Sequence, residues 1–138
     1  MIIMSVDLGL ARTGVAVSDE GMGFAFPKCV ITEYDTVRLV EKICDIAKET
    51  GAGRIVAGLP KNMDGSLGER AQTCTDIARM IEEKSGIETV LWDERGTTVT
   101  AHNYLNENNV RGKKRKQTVD AVAAVIILED YLRSIQKL

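Results

Sequence analysis

The chain has 138 residues, of which 44% are hydrophobic and 28% are charged; this composition is typical of a folded globular protein and excludes intrinsic disorder. A chain of this length, folded as a single domain over residues 1–138, buries roughly two-thirds of its unfolded surface. The formal net charge of −2 gives no overall attraction to nucleic acid, so such a partner would have to be held by a local basic patch.

The cysteines and the apolar runs predict a cytoplasmic protein. Cys29, Cys44 and Cys74 lack C-x-x-C spacing, so we expect buried, reduced thiols. The spacing between these cysteines and the single histidine, His102, is not that of a zinc site. No basic lead precedes the apolar N-terminus, which argues against a signal peptide. The longest late apolar run, 119–128, is too short to span a bilayer.

The first predicted element is a strand that ends at a carboxylate. Residues 2–9 are apolar and rich in β-branched side chains up to Asp7, which predicts a buried central strand. Gly9 and Gly14 allow a sharp turn, and residues 15–18 return as a second strand. A carboxylate at such a position is often paired with a divalent cation, although a hairpin with a capping Asp is the simpler interpretation.

Three more strands and four helices follow. Apolar spacing and turn residues predict strands at 24–31, 54–60 and 88–94, and helices at 36–50, 66–85, 97–108 and 118–134. Pro27 predicts an edge position or a bulge in the third strand. Asp35 or Thr36 can cap the first helix, and Ser66 with Glu69 has capping-box spacing for the second.

The order of these elements predicts a mixed α/β sheet. The first three strands follow one another like hairpins and are expected to be antiparallel, whereas the last two are each preceded by a helix. Right-handed crossovers then give the strand order 3-2-1-4-5, with helices on both faces. The carboxyl ends of strands one, four and five meet at one edge, where functional sites of such sheets usually lie.

Acidic residues occur where predicted elements converge at that edge. Asp7 ends the first strand, and Asp93 and Glu94 end the fifth; only one of the latter pair can share a face with a metal, because neighbouring strand residues point to opposite faces. Asp120 lies in the first turn of the last predicted helix, where it could also simply answer the helix dipole. The small residues Ala121, Ala123 and Ala124 allow this helix to lie close to the sheet. Clustered carboxylates favour a hard cation such as Mg²⁺.

Four segments, in order along nearly the whole chain, resemble motifs of the YqgF/RuvX family, whose members are described as ribonuclease H-like Holliday junction resolvases and as pre-16S ribosomal RNA nucleases. The matching segments are 7–19 (DLGLARTGVAVSD), 58–65 (GLP followed by DG), 93–98 (DERGTT) and 120–124 (DAVAA). The resemblance implies a ribonuclease H-like fold with a catalytic, metal-binding triad of Asp7, Glu94 and Asp120. It further implies that Arg12, Arg95, Thr97 and Thr98 line the substrate cleft.

The resemblance implies a nuclease that uses Mg²⁺, with Mn²⁺ as an alternative, to hydrolyse precursor 16S rRNA or branched DNA as a monomer or homodimer. We expect two ions to flank the scissile phosphate. Simpler roles exist for the cleft residues, an ion pair for Arg95 and helix caps for Thr97 and Thr98. Two departures from the family pattern, Ala11 and Gly96, affect substrate grip and local rigidity rather than the triad.

A basic loop at 111–116 is predicted just before Asp120. It contains Lys113, Lys114, Arg115 and Lys116. These cations are either a solvated surface or a site that holds a nucleic acid backbone beside the metals, and in the second case binding should weaken steeply with salt.

Two other classes of function fit parts of the sequence. Asp-x-Gly followed by a glycine hairpin also opens the actin-like kinases and ATPases, although those proteins need two such domains. A non-catalytic nucleic-acid-binding or ribosome-maturation factor could keep the fold without a working site. Nucleotide hydrolysis and nuclease assays would separate the three classes.

Overall fold

The computed structural model describes residues 1–9, 11–60, 68–93 and 113–136, and within the last range the side chains from residue 121 onward. The described elements are β1 (Ile2–Leu8), β2 (Arg12–Ser18), β3 (Ala25–Thr32), α1 (Thr36–Thr50), β4 (Ala52–Leu59), α2 (Glu69–Ser85), β5 (Glu88–Asp93) and α3 (Lys113–Gln136). The helix predicted at 97–108 lies outside the described residues.

The five strands form one sheet in the order β3-β2-β1-β4-β5. Antiparallel pairing joins β1 to β2 and β2 to β3, whereas β4 pairs in parallel with both β1 and β5. The predicted strand order and directions are therefore confirmed. Pro27 and Cys29 pair with neighbouring residues of β2, which leaves Lys28 as an extra residue; the bulge predicted from Pro27 thus lies in an edge strand, as expected.

Alternation along β1 divides the core into two layers. Met4, Val6 and Leu8 pack with α1 and α2 on one face of the sheet. Ile3 packs with α3 on the other face, and Ser5 is in contact with the same helix. The helices therefore cover both faces, as predicted, and the odd-numbered residues of β1 belong to the face of α3.

The ends of α1 are those expected from its sequence. The Asp35 side chain accepts a hydrogen bond from the Arg38 N–H and caps the first turn. Gly51 ends the helix at φ 76°, a left-handed conformation that glycine adopts with little strain. For α2 the predicted capping box is wrong, because Gly68 is the N-cap and Glu69 is the first helical residue rather than the third.

The last helix is longer than predicted. It begins at Lys113 rather than near residue 118, so the basic residues 113–116 form its first turn and not a loop. Lys and Arg are good helix formers with no tendency to break the backbone. A run of positive charges therefore does not by itself indicate a loop. The prediction of a loop is wrong for residues 113–116.

Candidate metal and nucleic-acid site

Asp7 lies at the carboxyl end of the central strand. It is half-buried and pairs in register with Gly14 of β2. As an odd-numbered residue of β1, it belongs to the face covered by α3. This is the position at which the sequence predicted the first metal-binding carboxylate.

A buried hydrogen bond ties this part of β1 to α3. The Ser5 hydroxyl donates to the carbonyl oxygen of Ala124 over 2.7 Å. Such an approach of strand to helix backbone requires small residues between them, and Ala16, Ala123 and Ala124 are all buried there. The prediction that Ala121, Ala123 and Ala124 allow close packing agrees with this contact.

The direction of α3 brings Asp120 toward the same edge as Asp7. Nearer the amino end of β1, Ile3 is in register with Arg54, whose Nη1 donates to the Tyr131 hydroxyl over 2.9 Å. The helix therefore runs opposite to β1. From Ala124 back to Asp120 its axis advances by about 6 Å. From Ser5 to Asp7 the strand advances by a similar distance, about 6–7 Å, in the same direction.

The structure also bears on the choice between Asp93 and Glu94. Val90 and Trp92 of β5 pack into the layer beneath α3. By alternation Asp93 belongs to the opposite face from Asp7. This geometry disfavours Asp93 as a partner of Asp7 and leaves Glu94, the next residue, as the candidate.

The other predicted site residues differ in how far the structure describes them. Arg12 is half-buried and opens β2 at the edge where β1 ends. The intervening turn is tight, since the Gly9 N–H donates to the Arg12 carbonyl over 3.0 Å. A Cβ on Gly9 would lie 2.2 Å from that oxygen, so only glycine fits.

The remaining predicted residues fall where the description is partial. Glu94, Arg95, Thr97 and Thr98 lie outside the described residues, as does Gly96, one of the two departures from the family pattern. For Asp120, Lys113, Lys114, Arg115 and Lys116 the structure describes the helical backbone alone.

Sequence reasoning missed Arg70, in the first turn of α2. Its guanidinium donates through Nη2 to the carbonyl oxygen of Leu8, over 2.5 Å. Leu8 directly follows Asp7, so a cation on α2 contacts the end of the central strand. No motif marks Arg70 in the sequence, because its role depends on the angle at which α2 meets β1.

Sequence reasoning also missed Tyr34, which follows β3 at the same edge of the sheet. Its side chain is 81% exposed. The Glu33 carboxylate fixes the backbone beneath it, accepting hydrogen bonds from the N–H groups of Tyr34 and Asp35. Lys42 bonds to Glu33 over 2.9 Å and, with those N–H groups, lowers the pKa of that carboxyl. The Tyr34 ring is thus exposed to solvent, on a backbone that these hydrogen bonds hold in place.

Trp92, near the end of β5, packs in the core. Its ring meets Tyr131 edge-to-face, with centroids 5.3 Å apart and planes at 86°. Such a pair stabilises the packing of α3 against the sheet. Trp92 is therefore a poor candidate for stacking on a nucleic acid base.

The donor set suits a hard cation. Within the described residues no three His, Cys, Asp or Glu side chains group closely enough to bind a metal; Glu94 and the side chain of Asp120 lie outside that description. Asp7 offers oxygen ligands at a strand end, which fits Mg²⁺ or Mn²⁺. The two core thiols, Cys44 and Cys74, are buried, and burial raises the pKa of Cys44.

Across the described part of the chain, no helix combines the length and the apolar character needed to cross a membrane.

Comparison with solved structures identifies the architecture. RuvC of T. thermophilus, solved in complex with a Holliday junction substrate, superposes with a TM-score of 0.63 at 11% sequence identity, over 99% of this chain and 97% of that one. The five-stranded sheet with helices on both faces is thus a RuvC-like ribonuclease H fold.

Sequence comparison identifies the family. The model of the family described as "RuvX: Holliday junction resolvase" matches residues 1–134. A relative from Bacillus cytotoxicus, named "Putative pre-16S rRNA nuclease", is 39% identical over 137 residues, or 97% of this chain and 99% of the relative. A relative of the same name from Lachnospira eligens is 41% identical over 140 residues, or 99% of this chain and 100% of the relative. The chain belongs to the RuvX/YqgF family.

Proposed function

We propose that this protein is a Mg²⁺-dependent endonuclease that cleaves structured nucleic acid, and that its substrate is the 5′ region of precursor 16S rRNA. The observation that carries the proposal is the Ser5–Ala124 hydrogen bond. It brings the amino-terminal turns of α3, and with them Asp120, toward the strand end that bears Asp7. Family membership supports the reaction class, and relatives at about 40% identity carry the rRNA nuclease name.

In this proposal Asp7, Glu94 and Asp120 hold the metal. The bound metal supplies an activated water and stabilisation of the leaving 3′-oxygen. The turn at Gly9, which only glycine fits, fixes Arg12 at the edge of the sheet where β1 ends. There its guanidinium can contact a substrate phosphate. Arg95, Thr97 and Thr98 are proposed to contact the same strand.

The basic turn 113–116 is proposed to hold the nucleic acid backbone. Cations in the first turn of a helix are disfavoured by the helix dipole, and this turn contains no acidic residue. A bound phosphate would relieve that repulsion. Recognition is expected to depend on the backbone and the shape of the nucleic acid. We propose that the protein acts in the cytoplasm, as a monomer or homodimer.

Branched DNA is the second candidate substrate, favoured by the fold shared with a resolvase solved on a Holliday junction. An RNA enzyme and a junction enzyme differ in their need for the 2′-hydroxyl. Replacing single riboses by deoxyriboses around the cut site would therefore separate the two.

The test compares the wild type with three variants, Asp7→Asn, Glu94→Gln and Asp120→Asn. Each is incubated with labelled precursor rRNA and with a four-way DNA junction, with and without Mg²⁺. We expect each substitution to abolish cleavage while leaving the circular dichroism spectrum unchanged. Asp45→Asn, an exposed carboxylate on α1, is the matched control and should retain full activity. Full activity in all three triad variants would refute the proposal.

A further inference from the structure

The central strand separates from one of its neighbours before it ends. On one side β1 pairs with β2 as far as Leu8 and Thr13. On the other side its register with β4 ends at Val6 and Ala57. A fork therefore opens between β1 and β4. This is the point at which the order of the strands in the sheet reverses. Crevices at such points are where α/β sheets bind ligands.

The Leu8 carbonyl points into this fork. The Gly9 N–H bonds to Arg12 on the β2 side. Successive strand residues direct their backbone groups to opposite sides, so the Leu8 carbonyl faces β4. Beyond the end of the β1–β4 register, a backbone acceptor needs another donor.

Arg70 supplies that donor from α2, through the Nη2 contact with the Leu8 oxygen. Its side chain is half-buried, and a charged donor makes a stronger hydrogen bond than a neutral one. The helix that carries it is anchored in the core, because the neighbouring residues Ala71 and Cys74 are each 1% exposed. The end of β1 is thus tied to a rigid element on the face opposite α3.

We propose that Arg70 is a positioning residue for Asp7. By closing the β1–β4 fork at Leu8, it fixes the backbone that carries Asp7 and so holds this carboxylate in the orientation needed to bind Mg²⁺. This inference rests on the proposed function, since it assigns Arg70 a role toward the same metal. It differs from a phosphate contact, which would affect substrate binding instead.

The experiment uses Arg70→Ala and Arg70→Lys in the full chain, with Arg79→Ala, an exposed arginine on the same helix, as the matched control. Calorimetry measures Mg²⁺ binding without nucleic acid, and cleavage assays give the Mg²⁺ dependence of kcat and the KM for RNA. Loss of a group that orients a metal ligand typically weakens metal binding about 10- to 100-fold. We expect Arg70→Ala to weaken Mg²⁺ binding about tenfold. Arg70→Lys should weaken it less, and Arg79→Ala should leave it unchanged.

An unchanged Mg²⁺ affinity in Arg70→Ala overturns the inference, as does a raised KM for RNA with a normal Mg²⁺ requirement. If Ala perturbs the circular dichroism spectrum, Arg70→Lys carries the test, since it keeps the charge but not the guanidinium geometry. Full activity in Asp7→Asn, Glu94→Gln and Asp120→Asn would instead refute the nuclease proposal itself. An inactive Asp7→Asn beside a normal Arg70→Ala would refute the role of Arg70 alone.

Discussion

A single hydroxyl group, that of Ser5, connects the first strand of the molecule to its last helix. Ser5 is 0% exposed and bonds to the Ala124 carbonyl, 119 residues away along the chain. A buried hydroxyl is tolerated only where it finds a partner. A larger side chain at this position would push α3 away from the sheet, because interiors are packed without spare volume. Ser5 therefore sets the distance between the strand of Asp7 and the helix of Asp120.

Replacing Ser5 tests this spacing. We expect Ser5→Ala to lower the free energy of unfolding by about 1 kcal/mol, the usual net contribution of one hydrogen bond. Ser5→Val should cost more, about 2–3 kcal/mol, because it also overpacks the contact. Urea unfolding measures both values. Ser134→Ala removes a hydroxyl bonded to the Tyr131 carbonyl on the exposed side of α3 and is the matched control.

The functional outcome separates spacing from stability. At temperatures where both variants are folded, Ser5→Val should cleave more slowly than Ser5→Ala, because the displaced helix moves Asp120 away from Asp7. Equal cleavage rates in the two variants would contradict the idea that helix spacing controls the site.

At the scale of elements, sequence patterns predicted the interiors of helices and strands better than their ends. The αL glycines Gly51 and Gly86 end α1 and α2 as expected, because few other residues accept that conformation. The start of α2 at Gly68 was not predictable, since several residues before it could act as caps. The start of α3 at Lys113 differs from the predicted one because four consecutive Lys and Arg residues continue a helix as readily as they form a loop.

The basic first turn of α3 gives a prediction at this scale. Replacing Lys113, Lys114, Arg115 and Lys116 by Gln should weaken RNA binding and make it less sensitive to salt. The slope of log K against log salt should fall by up to about 3, if each cation neutralises one phosphate. The fold should be unchanged or slightly more stable, because unfavourable charges leave the positive end of the helix.

Fluorescence anisotropy at several salt concentrations measures this slope. Gln substitutions at Lys28, Lys48 and Lys84, together with Arg79, remove the same charge from β3, α1 and α2 and are the control. An identical loss of slope in the control set would mean that net charge, and not this turn, governs binding.

The connection between β3 and α1 gives a second prediction, for Tyr34. Base stacking on an aromatic ring is worth about 1–3 kcal/mol, so Tyr34→Ala should weaken binding of substrates with unpaired bases about tenfold or more, whereas Tyr34→Phe should keep it. Phe24 is 69% exposed at the opposite edge of the sheet, and Phe24→Ala should have no effect. Binding of a single-stranded oligonucleotide without Mg²⁺ measures this without cleavage; equal losses for Tyr34→Ala and Phe24→Ala would contradict it.

For the whole molecule, connectivity alone was enough to predict the sheet. Hairpins can join only antiparallel neighbours and helical crossovers are right-handed, so the order β3-β2-β1-β4-β5 followed. Contacts between distant residues were not predictable in the same way. Arg70 with Leu8, and Ser5 with Ala124, depend on the distance and angle between a helix and the sheet, which no local pattern encodes. The sequence could name the acidic residues but not what holds them in place.

The proposed metal site also links the two ends of the chain, which makes metal binding visible as stability of the whole fold. Asp7 lies in the first strand and Asp120 in the last helix, so a ligand that binds both stabilises only the folded state. At Mg²⁺ about ten times its Kd, the gain is about 1.4 kcal/mol, which for a domain of this size raises Tm by roughly 5 °C.

Differential scanning calorimetry with MgCl₂, against NaCl of equal ionic strength, measures this shift. Asp7→Asn should show no Mg²⁺-dependent shift. Without metal it should melt slightly higher than the wild type, because removing one of several neighbouring carboxylates relieves their repulsion. A wild-type Tm that does not respond to Mg²⁺, together with a lower Tm in Asp7→Asn, would mean that Asp7 stabilises the strand end through its own hydrogen bonds and not by binding a cation.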